Sequence, residues 1–262
     1  MDQNASSGKI QSLVRASEIL RHVAYDGPLG ITEIAHRTGL HKSTAFGLVS
    51  TLVACGFLQQ SPDSGRYSVG IGLFRLGQRY HMDISEIVRP YLTDLLNEFQ
   101  ETVNFVVPDG DSILYLEKME SPFSLRISTY RGGKRPMYCT GAGKAILAYM
   151  PVRERERIIR ETNYIRFTDN TIVDQEALRQ ELVRVRQLGY GVDNEEGEPD
   201  LFCMGVPILN RYGDAIAALS LSQPKSRVTA ERQEKIRVRL KELGQQISRE
   251  LASCDTSDLR PV

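Results

Sequence analysis

The stretch ITEIAHRTGLHKSTAFGLVSTL, residues 31–52, reads as two short helices joined by a tight turn. Ile34 and Ala35 face inward from the first helix. Gly39 supplies the turn, where a left-handed backbone costs glycine little, and Leu40 anchors it in the core. In the second helix Ala45, Leu48, Val49 and Leu52 recur at spacings of three and four, so they share one face. Lys42, Ser43, Phe46, Gly47 and Ser50 fall on the other. Such a pair is a helix-turn-helix, whose second helix enters the DNA major groove with its N-terminal residues nearest the bases. It also serves as a plain structural corner, and the pattern alone is balanced between the two.

The flanks favour DNA. Upstream, Leu13, Ala16, Ile19, Leu20 and Val23 form the inner stripe of another helix. Downstream, residues 56–58 and 67–69 read as two strands around the turn-rich run 61–66. Three helices and a hairpin make a winged helix-turn-helix over residues 10–70. On its DNA face Lys42 can neutralise a phosphate or reach a base. The Ser43 and Thr44 hydroxyls suit contacts near a helix start, where backbone N–H groups also favour phosphate. Phe46 is either an apolar contact to a thymine methyl or a partly buried neighbour of the wing. Arg66, at the hairpin, reaches a phosphate or the minor groove or is a solvated loop arginine.

The whole chain sets bounds on this reading. Its 262 residues suit one large or two medium domains. The formal net charge is zero, and the first seventy residues hold six basic against five acidic side chains. DNA affinity therefore depends on local placement and on doubling in a dimer, not on a strong overall field. Cys55, Cys139, Cys203 and Cys254 lie far apart with no metal-ligand spacing, which fits a reducing cytoplasm. No apolar run approaches the length of a membrane span. The polar start, residues 1–9, is expected to be a disordered lead-in and not a signal peptide.

Residues 71–83, with Leu73, Leu76 and Tyr80 at helical spacing, read as a linker helix. A second domain, 84–262, opens with an amphipathic helix through Leu92 and Phe99, starting or kinking at Pro90. Strands are expected at 103–107, 113–118, 125–130, 190–193, 202–209 and 215–222. A loop at 131–134 and the run Thr140-Gly141-Ala142-Gly143 lead into a helix at 144–150. A charged helix follows at 153–160, then one capped by Asp174 and closed by Gly189, and a last amphipathic helix runs toward Leu251 before a loose tail. Strands between helices make this an α+β sensor domain, one antiparallel sheet with helices packed on it.

Taken in order, these residues resemble the IclR family of bacterial transcriptional regulators. The resemblance rests on Thr32-Glu33-Ile34-Ala35, Thr38-Gly39-Leu40 and Lys42-Ser43-Thr44. In the second domain it rests on Thr140-Gly141-Ala142-Gly143-Lys144-Ala145, Phe167-Thr168, Gly189-Tyr190 with Asp193, Cys203 with Val206-Pro207, and residues 217–222. Each motif is weak and the ordered set, spanning nearly the whole chain, is specific. It implies a winged-helix DNA-binding domain and a GAF-like effector-binding domain. It also implies a homodimer or homotetramer on operator DNA, and a small organic acid, aromatic compound or sugar derivative as effector. By resemblance Arg15 is a phosphate contact. His41 and Gly47 depart from the family, many of whose members carry a proline and a long basic side chain there, so base readout need not transfer.

For the effector the resemblance points to the loop residues Gly141 and Ala142 and to Asp193 and Cys203. Helix N-termini attract anions, and Gly141 and Gly143 would let a ligand approach the backbone, although without the resemblance a tight structural loop is the preferred explanation of them. The run is not a P-loop: Tyr138 stands at the first required glycine and Ala145 at the metal-binding hydroxyl. Ser220 and Ser222 project from one strand face, opposite to Leu219 and Leu221, either toward a polar ligand or onto an exposed face. Ser124 and Ile127 precede the loop and Arg135 enters it. Ser124 and Arg135 hint at a polar, acidic ligand such as a sugar acid. No motif calls for a cofactor or metal, and the acidic run 193–200 lacks calcium-loop spacing. A ligand-responsive regulator, more a repressor than an activator, is the preferred reading, and the protein is not read as an enzyme. The alternatives are a DNA-independent interaction module and a Cys-dependent enzyme. The second is weak because His22, His36, His41 and His81 all lie outside the effector site.

Overall fold

The computed structural model describes residues 10–252, the side chains of 78–83 and 252 apart. The two tails, Tyr80 of the linker stripe, His81 and Cys254 lie outside the described residues. The chain divides between Met82 and Asp83 into two compact units.

In the first unit α1 (Gln11–Asp26), α2 (Ile31–Thr38) and α3 (Lys42–Ala54) enclose a core of Ile19, Val23, Ile34, Ala45 and Val49. Gly39 ends α2 at φ +64° and its N–H returns to Ala35 and His36 carbonyls, which sets the tight turn. The antiparallel wing is β1 (Leu58–Gln60) with β2 (Tyr67–Val69). The first strand begins two residues later than expected, because Gly56, at φ +73°, belongs to the turn after α3. Tyr67 also bridges to Leu29, tying the wing to the helices.

One helix, α4 (Ile71–Phe99), covers both the expected linker helix and the helix expected to start or kink at Pro90. Proline removes one backbone N–H, and the buried stripe Val88, Leu92, Leu95 and Phe99 continues through it at helical spacing.

The second unit is a six-stranded antiparallel sheet: β3 (Thr102–Asp109), β4 (Ser112–Met119), β5 (Lys134–Pro136), β6 (Gly191–Asn194), β7 (Leu201–Leu209) and β8 (Ala215–Pro224). Their order is β5-β4-β3-β8-β7-β6. On one face the C-terminal half of α4 and α8 (Ala230–Ala252) bury Phe105, Met204, Val206, Leu219 and Leu221. On the other, α5 (Gly141–Tyr149), α6 (Val152–Glu161) and α7 (Gln175–Leu188) pack with Val106, Ile113 and Ala218. Asp174 caps α7 by accepting the Ala177 N–H at 2.8 Å, and Gly189 closes it at φ +80°.

Residues 125–130 do not form the expected strand. Their carbonyls take side-chain donors in place of a neighbouring strand. Leu125 accepts from Arg227 at 3.0 Å, Ile127 from the Thr102 hydroxyl at 3.1 Å, and Thr129 from Lys118. The edge of β4 pairs instead with β5, whose first residue, Lys134, is the last of the expected loop. Residues 121–131 instead form a flap over the α5 face of the sheet.

Candidate effector pocket and DNA-reading face

Helix α5 starts at Gly141 and not at Lys144, so the glycine run is its first turn. Thr140 caps it, accepting the Gly143 N–H at 3.1 Å. The small residues there let α5 lie directly on the sheet. A Cβ on Gly143 would stand 2.4 Å from Met137, one on Gly141 would stand 2.9 Å from the Cys203 carbonyl, and one on Gly205 would stand 2.6 Å from Ala142. Close backbone packing explains these glycines, so Gly141 is not among the residues lining the cavity.

That cavity, of about 40 Å³, lies between the start of α5, the sheet and the flap. It brings together Ile127, Arg135, Ala142, Asp193, Cys203, Ser220 and Ser222. Ser124 is exposed on the flap and is left out. The two serines are 2 % and 5 % exposed, which removes the alternative of a solvent-facing strand. Tyr115, Ser128, Thr129, Cys139 and Glu198 are among the other residues of the wall, and none of them was expected at the effector site from sequence. Asn104 joins flap and floor, accepting from the Thr129 hydroxyl at 2.8 Å and standing 3.5 Å from Ser222.

Asp193 dominates the electrostatics. It is 1 % exposed. Its Oδ1 accepts the backbone N–H groups of Glu196 at 2.7 Å and Gly197 at 3.3 Å. Its Oδ2 is buried with no hydrogen-bond partner. Burial pushes its carboxyl up to about 7, Glu196 adds to the rise, and the two N–H groups and Lys144 oppose it. Burial also pushes the Cys139 and Cys203 thiols up to about 12, so neither is a ready nucleophile. The one guanidinium on the wall belongs to Arg135, 3.4 Å from Glu198. The acidic run is more organised than a solvated loop: Glu196 is buried against Lys144, and Glu195 accepts the Asp200 N–H.

A wider groove of about 620 Å³ lies beside Tyr149 and Lys241. Its three cations are engaged with backbone carbonyls, Arg186 on Ala148, Lys241 on Leu188 and Arg249 on Gln245. The smaller cavity, with an unpartnered buried oxygen, is the candidate site.

In the first unit Arg15, His41, Lys42, Ser43, Thr44 and Phe46 are all exposed, the last five together at the start of α3. Phe46 is 56 % exposed, so it is not a buried neighbour of the wing. His41 Nδ1 lies 2.8 Å from the Ser43 hydroxyl. Arg66 is engaged within its own unit: Nε donates to the Pro28 carbonyl at 2.8 Å and Nη2 pairs with Glu33. It fastens the wing to α2. Nothing lies within 4 Å of a Cβ built on Gly47, so packing does not require glycine there.

A winged helix-turn-helix followed by an antiparallel-sheet sensor domain defines a DNA-binding transcriptional regulator, not an enzyme. The family model for the IclR helix-turn-helix domain matches residues 12–62, and that for the bacterial transcriptional regulator IclR C-terminal domain matches residues 79–249. The transcriptional regulator KdgR of Escherichia coli is 33 % identical over 97 % of both chains. The Thermotoga maritima IclR structure is 32 % identical, covering 93 % of this chain and all of that one, with a TM-score of 0.73. An IclR homologue from Microbacterium hydrocarbonoxydans, complexed with 4-hydroxybenzoate, is 25 % identical. It covers 92 % of this chain and 98 % of that one, with a TM-score of 0.81. The chain belongs to the IclR family of bacterial transcriptional regulators. Among the described residues no helix is long and apolar enough to cross a membrane.

Proposed function

We propose that the protein is a cytoplasmic repressor that binds operator DNA as a homodimer or homotetramer and responds to a small organic acid or sugar acid. In this reading residues 10–70 bind DNA, 71–83 link, and 84–262 bind the effector. Lys42, Ser43, Thr44 and Phe46 meet the major groove, with His41 at the helix start and Arg15 on a phosphate. Ile127, Arg135, Ala142, Asp193, Cys203, Ser220 and Ser222 surround the effector. The observation that carries the effector reading is the unpartnered Oδ2 of Asp193 in a wall that also holds a guanidinium. A buried acceptor without a donor costs free energy until a ligand supplies one, and Arg135 suits a carboxylate. The effector shifts DNA binding only through its differential affinity for the DNA-competent and incompetent arrangements.

A mobility-shift titration tests this, with DNA upstream of the gene and of its neighbours, at two salt concentrations, with and without organic and sugar acids. Specific, salt-weakened binding released by one acid is expected. Binding that no acid alters would sink the effector class, and the absence of any specific shift would favour an interaction module.

A further inference from the structure

Arg135 and Glu198 face one another across the mouth of the pocket. Arg135 sits on the short edge strand β5, opposite Ile113 of β4, and Glu198 on the loop between β6 and β7. Both line the cavity. The contact is a single one, Nη2 to Oε2 at 3.4 Å, with side chains 45 % and 61 % exposed. Glu198 is the only hydrogen-bond or ion-pair partner of the Arg135 guanidinium among the described residues.

We infer that Glu198 is a resident stand-in for the effector's carboxylate: it occupies Arg135 across the pocket mouth, and an acidic effector replaces it on that guanidinium. This rests on the acid-binding reading of the pocket and names the residue that sets its preference for acids. Three observations carry it. An exposed, monodentate ion pair contributes little because water competes for both groups, so replacing one carboxylate by another costs little, whereas a neutral ligand would strand the guanidinium or leave Glu198 in its way. The cavity is narrow, about 40 Å³ against about 620 Å³ for the groove beside Tyr149, and Arg135 and Glu198 are exposed residues of its wall. An acid that enters past them acts on this pair. Finally, the loop carrying Glu198 is held by Asp193, whose Oδ1 accepts the N–H groups of Glu196 and Gly197. The unpartnered Oδ2 of the same side chain awaits a donor. A ligand with a hydroxyl for Asp193 and a carboxylate for Arg135, a hydroxy acid, therefore acts on both ends of the loop that closes over it.

The test uses the full-length protein as wild type, E198Q and R135Q. Glycolate, D-gluconate and 4-hydroxybenzoate are titrated calorimetrically beside the neutral glycolamide, sorbitol and 4-hydroxybenzamide. An acid that binds the wild type is expected to bind E198Q about two- to fivefold tighter and R135Q at least about tenfold weaker, while any gain of the matching neutral compound on E198Q is smaller than the acid's. Equal affinity of an acid for wild type and E198Q overturns the role of Glu198 and leaves the acid-binding pocket intact. If none of the compounds binds any of the three proteins, the acid reading falls and takes this inference with it. A second readout needs no effector: in a C55S/C254S background, maleimide labelling of Cys139 and Cys203 should be faster with E198Q. Equal rates overturn the closing role by themselves.

Discussion

Lys144 Nζ donates to Glu196 Oε1 at 2.5 Å, with the lysine side chain 1 % exposed and Glu181 a further 3.7 Å contact. Lys144 belongs to the first turns of α5 and Glu196 to the loop that bears Gly197 and Glu198. One buried ion pair therefore joins helix α5 to the loop that carries Glu198. Removing one partner of such a pair strands a buried charge, at about 3–5 kcal/mol, whereas replacing both is far milder. K144M should lower the urea stability of the full-length chain by that order, and K144M/E196Q should recover most of it. A double variant no more stable than K144M would show that Lys144 contributes packing and not charge.

Asp193 links stability to pH. Its folded-state carboxyl stands at about 7 against an ordinary 3.8. Between those values the folded protein holds the proton more tightly than the unfolded chain does. The contribution of Asp193 to stability is thus fully present below about pH 4, falls as pH rises toward 7, and levels off above. D193N keeps an acceptor for the Glu196 and Gly197 N–H groups and abolishes the titration. Its free energy of unfolding in urea should exceed that of the parent at pH 8, by a few kcal/mol at most in order of magnitude, and the gap should close as pH falls to 4. A gap that stays constant across this range would refute the assignment.

Gly47 is exposed on α3, with open space around a built Cβ and no left-handed backbone. Alanine should stabilise the first unit by about 1 kcal/mol, read as a higher unfolding midpoint of the full-length protein. An unchanged or lower midpoint would mean that the glycine is needed for a reason other than packing.

Lys42 is the exposed cation at the N-terminus of α3. K42A should weaken binding to specific and nonspecific DNA alike, and should reduce the slope of log affinity against log salt by about one per protomer if it meets a phosphate. Weakening confined to the specific site would assign Lys42 to a base instead.

The strand expected at 125–130 shows where reading the chain in order stops working. A strand-like run calls for a neighbouring strand, and here the carbonyls of Leu125, Ile127 and Thr129 are taken by side chains instead. The run cannot report that the donors are Arg227, Thr102 and Lys118, from three other parts of the chain. Similarly, Tyr115, Cys139 and Glu198 reach the pocket from a strand, a short turn before α5 and a loop. None carries a local pattern that marks it as part of a site.

The sequence by itself determined the helix-turn-helix, its exposed face and the helices of the second domain, because 3.6-residue periodicity, caps and turn glycines act within a few residues of one another. It also marked Asp193, Cys203, Ser220 and Ser222, through ordered motifs and strand alternation. Only the tertiary structure decided that Gly141 serves close packing, that Arg66 is held by Glu33 and Pro28, and that Asp193 has one oxygen without a partner. Each of these depends on which distant groups share a neighbourhood, and on how much water is left between them. Burial and hydrogen-bond satisfaction are properties of the packed chain, not of the order of its residues.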